Sequence, residues 1–247
     1  MSGQDPLGEI GFSPGGEDWV EFGPPADRSR IGFHDYSAIY AVPGLYERIF
    51  GRELGMRSTA EVVRLYGEQL RADGLDPARE RVIDFGAGNG VGGEAMRALG
   101  VGMIVGIDLE PVARIAAERD RPGAYDDYIV GDLADWTAAD FARLAADARP
   151  TALLALSALG IGHVPSEVMS RAVGLLGPGG IYGFALAPRL LPEADDPFGE
   201  RSGYPELIRR LEADTELLAR SEYVHRRHPD GSADPAVAFL GRVRAAG

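Results

Sequence analysis

Apolar and polar positions alternate along this chain with two different periods. Between residues 33 and 74 the apolar side chains recur at helical spacing: Tyr36, Ile39 and Tyr40, then Leu45, Ile49 and Phe50, then Val62, Val63, Leu65, Tyr66 and Leu70. That stripe predicts two or three helices ahead of any sheet. From residue 82 onward short apolar runs take over, at 82–85, 103–107, 127–130, 151–156 and 181–186. Helical stretches fall between them: one carrying Met96, one opened by Pro111, one around 141–146 and one over 168–176. Proline is well tolerated at a helix start, so Pro111 does not break the pattern. Strands alternating with helices predict a parallel sheet covered on both faces, joined by right-handed crossovers. After a helix over 205–220, residues 222–227 and 236–243 read as two further strands joined by His228-Pro-Asp-Gly-Ser232.

Residues 1–32 are rich in Gly, Pro and acid, as in Pro14-Gly-Gly-Glu-Asp18, and predict a flexible tail, loosely ordered or draped over the body. A helical cap is expected over 33–76 and the main domain over 77–247. The connection over 187–204 is long, polar and Pro-rich, a length typical of lids and binding loops.

The chemistry concentrates in Arg81-Val-Ile-Asp-Phe-Gly-Ala-Gly-Asn-Gly-Val-Gly-Gly93 and Val105-Gly-Ile-Asp-Leu109. A nucleotide must lie almost on the backbone where a strand turns into its helix, and a Cβ there would hold it off. Gly86, Ala87 and Gly88 therefore read as the floor of a cradle. Asp108 stands 22 residues after Gly86. That is close to the roughly 20-residue separation that brings an acid onto a ribose hydroxyl. A dinucleotide would use the same geometry, and Gly88, Gly90 and Gly93 also fit its pattern. Asp84 argues otherwise, because a carboxylate beside a pyrophosphate is unfavourable. A ligand bearing an ammonium and a sulfonium suits it better. Asp132, ending Tyr128-Ile-Val-Gly-Asp-Leu133, would reach the same crevice from the third strand and meet the adenine amino group.

With 247 residues and 45% hydrophobic content the chain can build a full core. It has no Cys and no Lys, which excludes disulfides, thiolate metal sites, cysteine nucleophiles, Schiff-base chemistry and a Walker A lysine. The net charge of −13 speaks against a nucleic-acid partner. No apolar run approaches the roughly 20 residues of a membrane span, and a signal peptide is not evident. The expectation is a soluble, cytoplasmic protein without a membrane partner, its oligomeric state open, a homodimer included. No spacing of His and acids resembles a metal site, so no metal is expected.

Asp84, Asp108 and Asp132 at three successive strand ends, taken with the glycine run, resemble the class I S-adenosylmethionine-dependent methyltransferases over roughly residues 82–243. The resemblance implies a doubly wound α/β fold: a seven-stranded, mostly parallel sheet whose final strand enters antiparallel, with an amino-terminal helical cap. It implies S-adenosylmethionine as cofactor, held by Asp84, Gly86, Ala87, Gly88, Asp108, Leu109, Asp132, Leu133, Ser157 and Tyr40. Phe33 and Tyr40 match an aromatic pattern that covers the methionine end, although Ala41 stands where an acid is common. Gly162-His-Val-Pro165 and Gly177-Pro-Gly-Gly180 are distantly similar to the methyltransferase encoded in the Williams–Beuren region and its bacterial relatives.

Methyl transfer needs donor and acceptor held close and aligned, and a base helps when the acceptor is a hydroxyl or amine. His163, after the 151–156 strand, is the first candidate base, and His34 the second. His225 and His228 carry little weight, as residues on or beside a late hairpin. Leu154-Ala-Leu-Ser-Ala158 lacks the Asn/Asp-Pro-Pro-Tyr tetrapeptide of enzymes that methylate planar amino groups. Together with the acidic charge, this points to a small-molecule acceptor. The Arg-only, Ala- and Gly-rich composition suggests a GC-rich bacterial genome, where such enzymes serve secondary metabolism. A cyclase or binding protein that holds S-adenosylmethionine without methyl transfer stays open, as does a nicotinamide-dependent oxidoreductase.

Overall fold

The structure is a computed structural model that describes residues 5–159 and 164–244. Its frame is a seven-stranded sheet in the order β6-β5-β4-β7-β8-β10-β9. Strands β4 (Arg81–Phe85), β5 (Met103–Asp108), β6 (Asp127–Val130), β7 (Ala152–Ala155) and β8 (Ile181–Leu186) run parallel. The hairpin β9 (Thr215–Arg227) and β10 (Ala233–Val243) closes the edge, with β10 antiparallel to β8. This is the expected doubly wound arrangement with its antiparallel last strand.

Both faces of the parallel strands are covered, which is why they read as nearly continuous apolar runs. On one face α2 (Ser58–Ala72) and α3 (Val91–Leu99) bury Val62, Tyr66, Leu70 and Met96 against Val82, Ile104 and Leu154. On the other, α5 (Ala138–Ala148), α6 (Ser166–Val173) and α8 (Tyr204–Asp214) cover Ile83, Ile107, Leu153 and Phe184. Among the described residues no helix is long and apolar enough to cross a membrane.

Three segments differ from the sequence reading. The expected tail contains a three-stranded antiparallel sheet, β1 (Gly11–Phe12), β2 (Trp19–Phe22) and β3 (Ser29–Gly32). Its polar composition hid a small core: Val20 and Phe22 pack with Phe33, Ile39, Leu45, Ile49 and Phe50. The cap is then α1 (Tyr36–Ala41), a π-helical segment Glu47–Glu53, and α2. The helix expected over 205–220 ends at Asp214, and the chain continues straight into β9. Residues 216–220 are good helix formers, but pairing with β10 across the edge overrides local propensity. The 187–204 connection is filled with short turns at Pro188–Leu190 and Pro192–Ala194 and with α7 (Pro197–Ser202). Its Leu190 and Leu191 are buried in the core, so it is a packed connection rather than an open lid.

Candidate functional site

Strand order reverses between β4 and β7, and a crevice opens at the carboxyl ends of the strands there. It holds a cavity of about 500 Å³. Asp84, Gly86, Ala87, Gly88, Asp108, Leu109, Asp132, Leu133, Ser157, Tyr40 and His34 all line it. The sequence scatters these residues over more than a hundred positions, and the fold brings them to one wall. His163 lies outside the described residues.

The glycine turn is built for close approach. Gly86 (φ +74°) and Gly88 (φ +53°) both occupy the left-handed region that L side chains avoid. A Cβ on Gly86 would collide with the Ala158 methyl, and one on Gly88 would stand 2.6 Å from the Tyr40 hydroxyl. The backbone N–H groups of Gly86 and Ala87 both donate to the Ile107 carbonyl, at 2.9 and 3.0 Å, which pins the turn to β5.

Asp108 ends β5 with each oxygen accepting one backbone N–H: Oδ2 from Gly88 at 2.8 Å, Oδ1 from Glu110 at 2.9 Å. A carboxylate oxygen carries two lone pairs, so one remains on each for a pair of hydroxyl donors. Burial is the largest influence on this carboxyl and raises its pKa, against the backbone N–H groups of Glu110, Gly88 and Leu109, which lower it. Asp132 accepts from the Ala134 N–H at 2.8 Å, which fixes the turn after β6 at the far end of the cavity. Leu109 is exposed at the rim, while Leu133 is buried behind it.

Asp84 is more deeply set than the sequence suggested, only 1% exposed. Burial pushes its pKa up to about 7, Tyr125's hydrogen bond pulls it down, and the neighbouring Asp108 charge raises it again. A fixed anion was expected here. The structure instead sets this carboxyl in a buried environment that favours its neutral form more than water does.

Several contributing residues escaped the sequence reading. The Tyr125 hydroxyl donates to Asp84 Oδ2, and the Tyr128 hydroxyl to the Gly88 carbonyl at 2.7 Å, so both brace the cradle from β6 and the loop before it. Two tyrosines three apart at the start of the edge strand β6 were the available signal. Glu47, Asn89 and Arg121 tie the cap to the glycine turn. Asn89 Nδ2 donates to Glu47 Oε1 at 2.6 Å, Arg121 pairs with the same oxygen at 2.5 Å, and Arg121 also donates to the Asn89 carbonyl at 3.1 Å. No local pattern marks this triad, because its members are brought together only by folding. Of the two aromatics expected over the cofactor, Tyr40 lines the cavity and Phe33 does not; Tyr36 and Tyr46 join Tyr40 there.

The donor set suits an adenosyl sulfonium. The cavity offers three carboxyl groups above a glycine floor.

No family model matches the chain. A stretch of 49 residues is 49% identical to the ribosomal protein L11 methyltransferase of Aeromonas hydrophila, covering 20% of this chain and 16% of that protein. Among solved structures, the N-methyltransferase NodS from Bradyrhizobium japonicum is similar with a TM-score of 0.59 at 13% identity, over 85% of this chain and 97% of that one. An S-adenosylmethionine-dependent methyltransferase from Anabaena variabilis gives 0.54 at 17% identity over 87% and 96%. The O-methyltransferase TomG from Streptomyces achromogenes gives 0.52 at 15% over 85% and 90%. With its sheet order, antiparallel closing strand and these likenesses, the chain has the class I S-adenosylmethionine-dependent methyltransferase fold.

Proposed function

We propose that this protein binds S-adenosylmethionine in the crevice between β4 and β7 and transfers its methyl group to a small-molecule acceptor. One observation carries the reading: Asp84, Asp108 and Asp132, at the ends of β4, β5 and β6, converge on a single cavity floored by Gly86 and Gly88. Asp108 would take the ribose hydroxyls through its two remaining lone pairs, Asp132 the adenine amino group, and Asp84 the cationic methionine end. S-adenosylmethionine held there would supply a methyl on a positively charged sulfur, the leaving group for an acceptor lone pair. The chain's part is to hold the acceptor in line, exclude water and let the acceptor's proton leave. His34 lines the cavity and is a candidate to take that proton. His163 is kept as a candidate from the sequence alone.

Calorimetric titration with S-adenosylmethionine, S-adenosylhomocysteine and NAD(H) tests the cofactor assignment. Both sulfur nucleotides should bind and NAD(H) should not, and Asp108→Ala should weaken binding by roughly tenfold or more through the lost charged hydrogen bonds. Absence of heat with either sulfur nucleotide would refute it.

A second reading, methylation of a protein side chain, draws on the short stretch similar to the L11 methyltransferase. Transfer of labelled methyl to protein in a lysate, with none to metabolites, would favour it.

A further inference from the structure

Behind the cofactor crevice lies a second cavity of about 550 Å³. His34, Tyr36, Tyr46 and Ser157 line both cavities, so the two meet at that wall. The second is built on one side by Glu17 from the loop before β2, the turn after β3 and Phe50 of the π-helical segment, and on the other by the end of β8 and the β9–β10 hairpin.

Its two ends differ in chemistry. One is aromatic: Phe33 and Phe50 stand edge to face at 5.4 Å, and Tyr36 and Tyr46 lie 6.0 and 4.8 Å from the Phe50 ring. These rings pack on one another and give that end an aromatic wall. The other end is a charge cluster. Arg226 Nη2 pairs with Glu17 Oε1 at 2.8 Å and Nε with Asp234 Oδ2 at 3.1 Å, while Nη1 is buried. Two of the three guanidinium nitrogens are therefore committed to carboxylates, while Nη1 has no hydrogen-bond partner among the described residues. Burial raises the pKa of Glu17, but the Arg226 charge and the bonds from His228 and Arg226 outweigh it and hold the carboxyl below its ordinary value. His225 adds no charge near neutral pH, because burial pulls its pKa down to about 4. Its Nδ1 is taken by Ser58 Oγ at 2.6 Å, which also contacts the Tyr223 hydroxyl at 2.6 Å, and that leaves Nε2 as its second ring nitrogen.

Two carboxylates face one guanidinium, and the lining residues that carry charge leave the polar end with one net negative charge. We infer that this cavity is the acceptor chamber, and that it takes a planar aromatic ring bearing an alkylammonium group or an uncharged hydroxyl while rejecting aromatic acids and phosphates. The inference rests on the proposed methyl transfer and names the acceptor class for it. An anionic acceptor would meet only the single donor Nη1 of Arg226 and would lie against two carboxylates. An amine gains both their charge and the aromatic faces.

Binding to the full-length protein saturated with S-adenosylhomocysteine tests the chamber without relying on turnover. Two matched series serve as probes: tryptamine, tryptophol and indole-3-acetate, and tyramine, tyrosol and 4-hydroxyphenylacetate. In at least one series the amine should bind about tenfold or more tighter than the acid, the scale set by one partly buried unit charge. Glu17→Gln should shrink that gap to within about threefold. Ala187→Phe, which intrudes on the chamber wall, should abolish amine binding while S-adenosylhomocysteine still binds. Pro235→Phe, at an exposed wall position, serves if Ala187→Phe does not fold. An acid that binds as tightly as its amine, no binding in either series, amine binding untouched by the wall variants, or an amine that competes with S-adenosylhomocysteine would each overturn the inference. Failure of S-adenosylhomocysteine itself to bind would instead overturn the cofactor assignment.

Discussion

The Tyr125 hydroxyl donates to Asp84 Oδ2 across 2.8 Å and stands 3.1 Å from the Ala87 carbonyl, joining the carboxyl at the end of β4 to the glycine turn that follows it. This contact opposes the larger effect of burial on the charge that Asp84 carries. With burial pushing Asp84 to about 7 and Tyr125 opposing it, the carboxyl titrates in the working range. A cationic ligand favours the ionised form. Affinity for S-adenosylmethionine, whose sulfonium charge does not titrate, should therefore rise roughly five- to tenfold from pH 6 to pH 8. Asp84→Asn should flatten the profile, and Tyr125→Phe should move its midpoint up by roughly one unit. Calorimetry across that range decides the matter, and a flat wild-type profile would remove Asp84 from the cation's surroundings.

Stability should carry two opposing pH dependences. Asp84 has a raised pKa, so its contribution is full below its ordinary 3.8 and is lost as pH rises through about 7. His225 has a depressed pKa, so its contribution is full above its ordinary 6.5 and is lost as pH falls through about 4. The two windows overlap and partly cancel in the wild type. On acidification from pH 7 to 5, the melting temperature of Asp84→Asn should fall more steeply than that of the wild type, by roughly 3 °C or more. His225→Gln should shift in the other direction. Melting curves for the three proteins that run parallel would contradict this.

Tyr66 and Glu80 form a purely structural pair beneath the sheet. The Tyr66 hydroxyl donates to Glu80 Oε2 at 2.9 Å, and Thr151 Oγ1 donates to the same oxygen at 2.7 Å, all at the end of β4 away from the cradle. Tyr66→Phe should cost about 1–3 kcal/mol in urea denaturation, through a bond lost to a buried carboxylate. S-adenosylhomocysteine affinity should stay within about twofold, since nothing in the crevice changes.

Glu47 latches the cap to the cofactor turn through Asn89 and Arg121. Glu47→Ala should free the cap and speed S-adenosylhomocysteine release by roughly three- to tenfold, the scale of one half-buried ion pair. Association should change less. Stopped-flow displacement measures both rates, and an unchanged release rate would make the triad a fold contact only.

Much of the crevice was legible because its residues follow local rules. Gly86, Gly88, Asp108 and Asp132 occupy fixed offsets from strands whose apolar runs are unmistakable, and any βαβ unit with those offsets meets at one crevice. The antiparallel hairpin was also readable, but its first strand was cut short because Glu216, Leu217, Leu218 and Ala219 favour helix when judged alone. The small amino-terminal sheet was missed for a related reason. Its few apolar residues, Val20 and Phe22 among them, acquire a core only against Phe33, Ile39 and Phe50 from the following segment.

The sequence by itself determined the parallel sheet, the glycine floor and the acids at three strand ends, because backbone conformation and strand periodicity are near-neighbour properties. Only the tertiary structure decided how those acids behave and what lies behind them. Burial and Tyr125 set the charge on Asp84, and a guanidinium at Arg226 shared between Glu17 and Asp234 gives the second cavity its polarity. Desolvation and pairing between residues more than two hundred positions apart exist only once the chain has folded, and no window of sequence contains them.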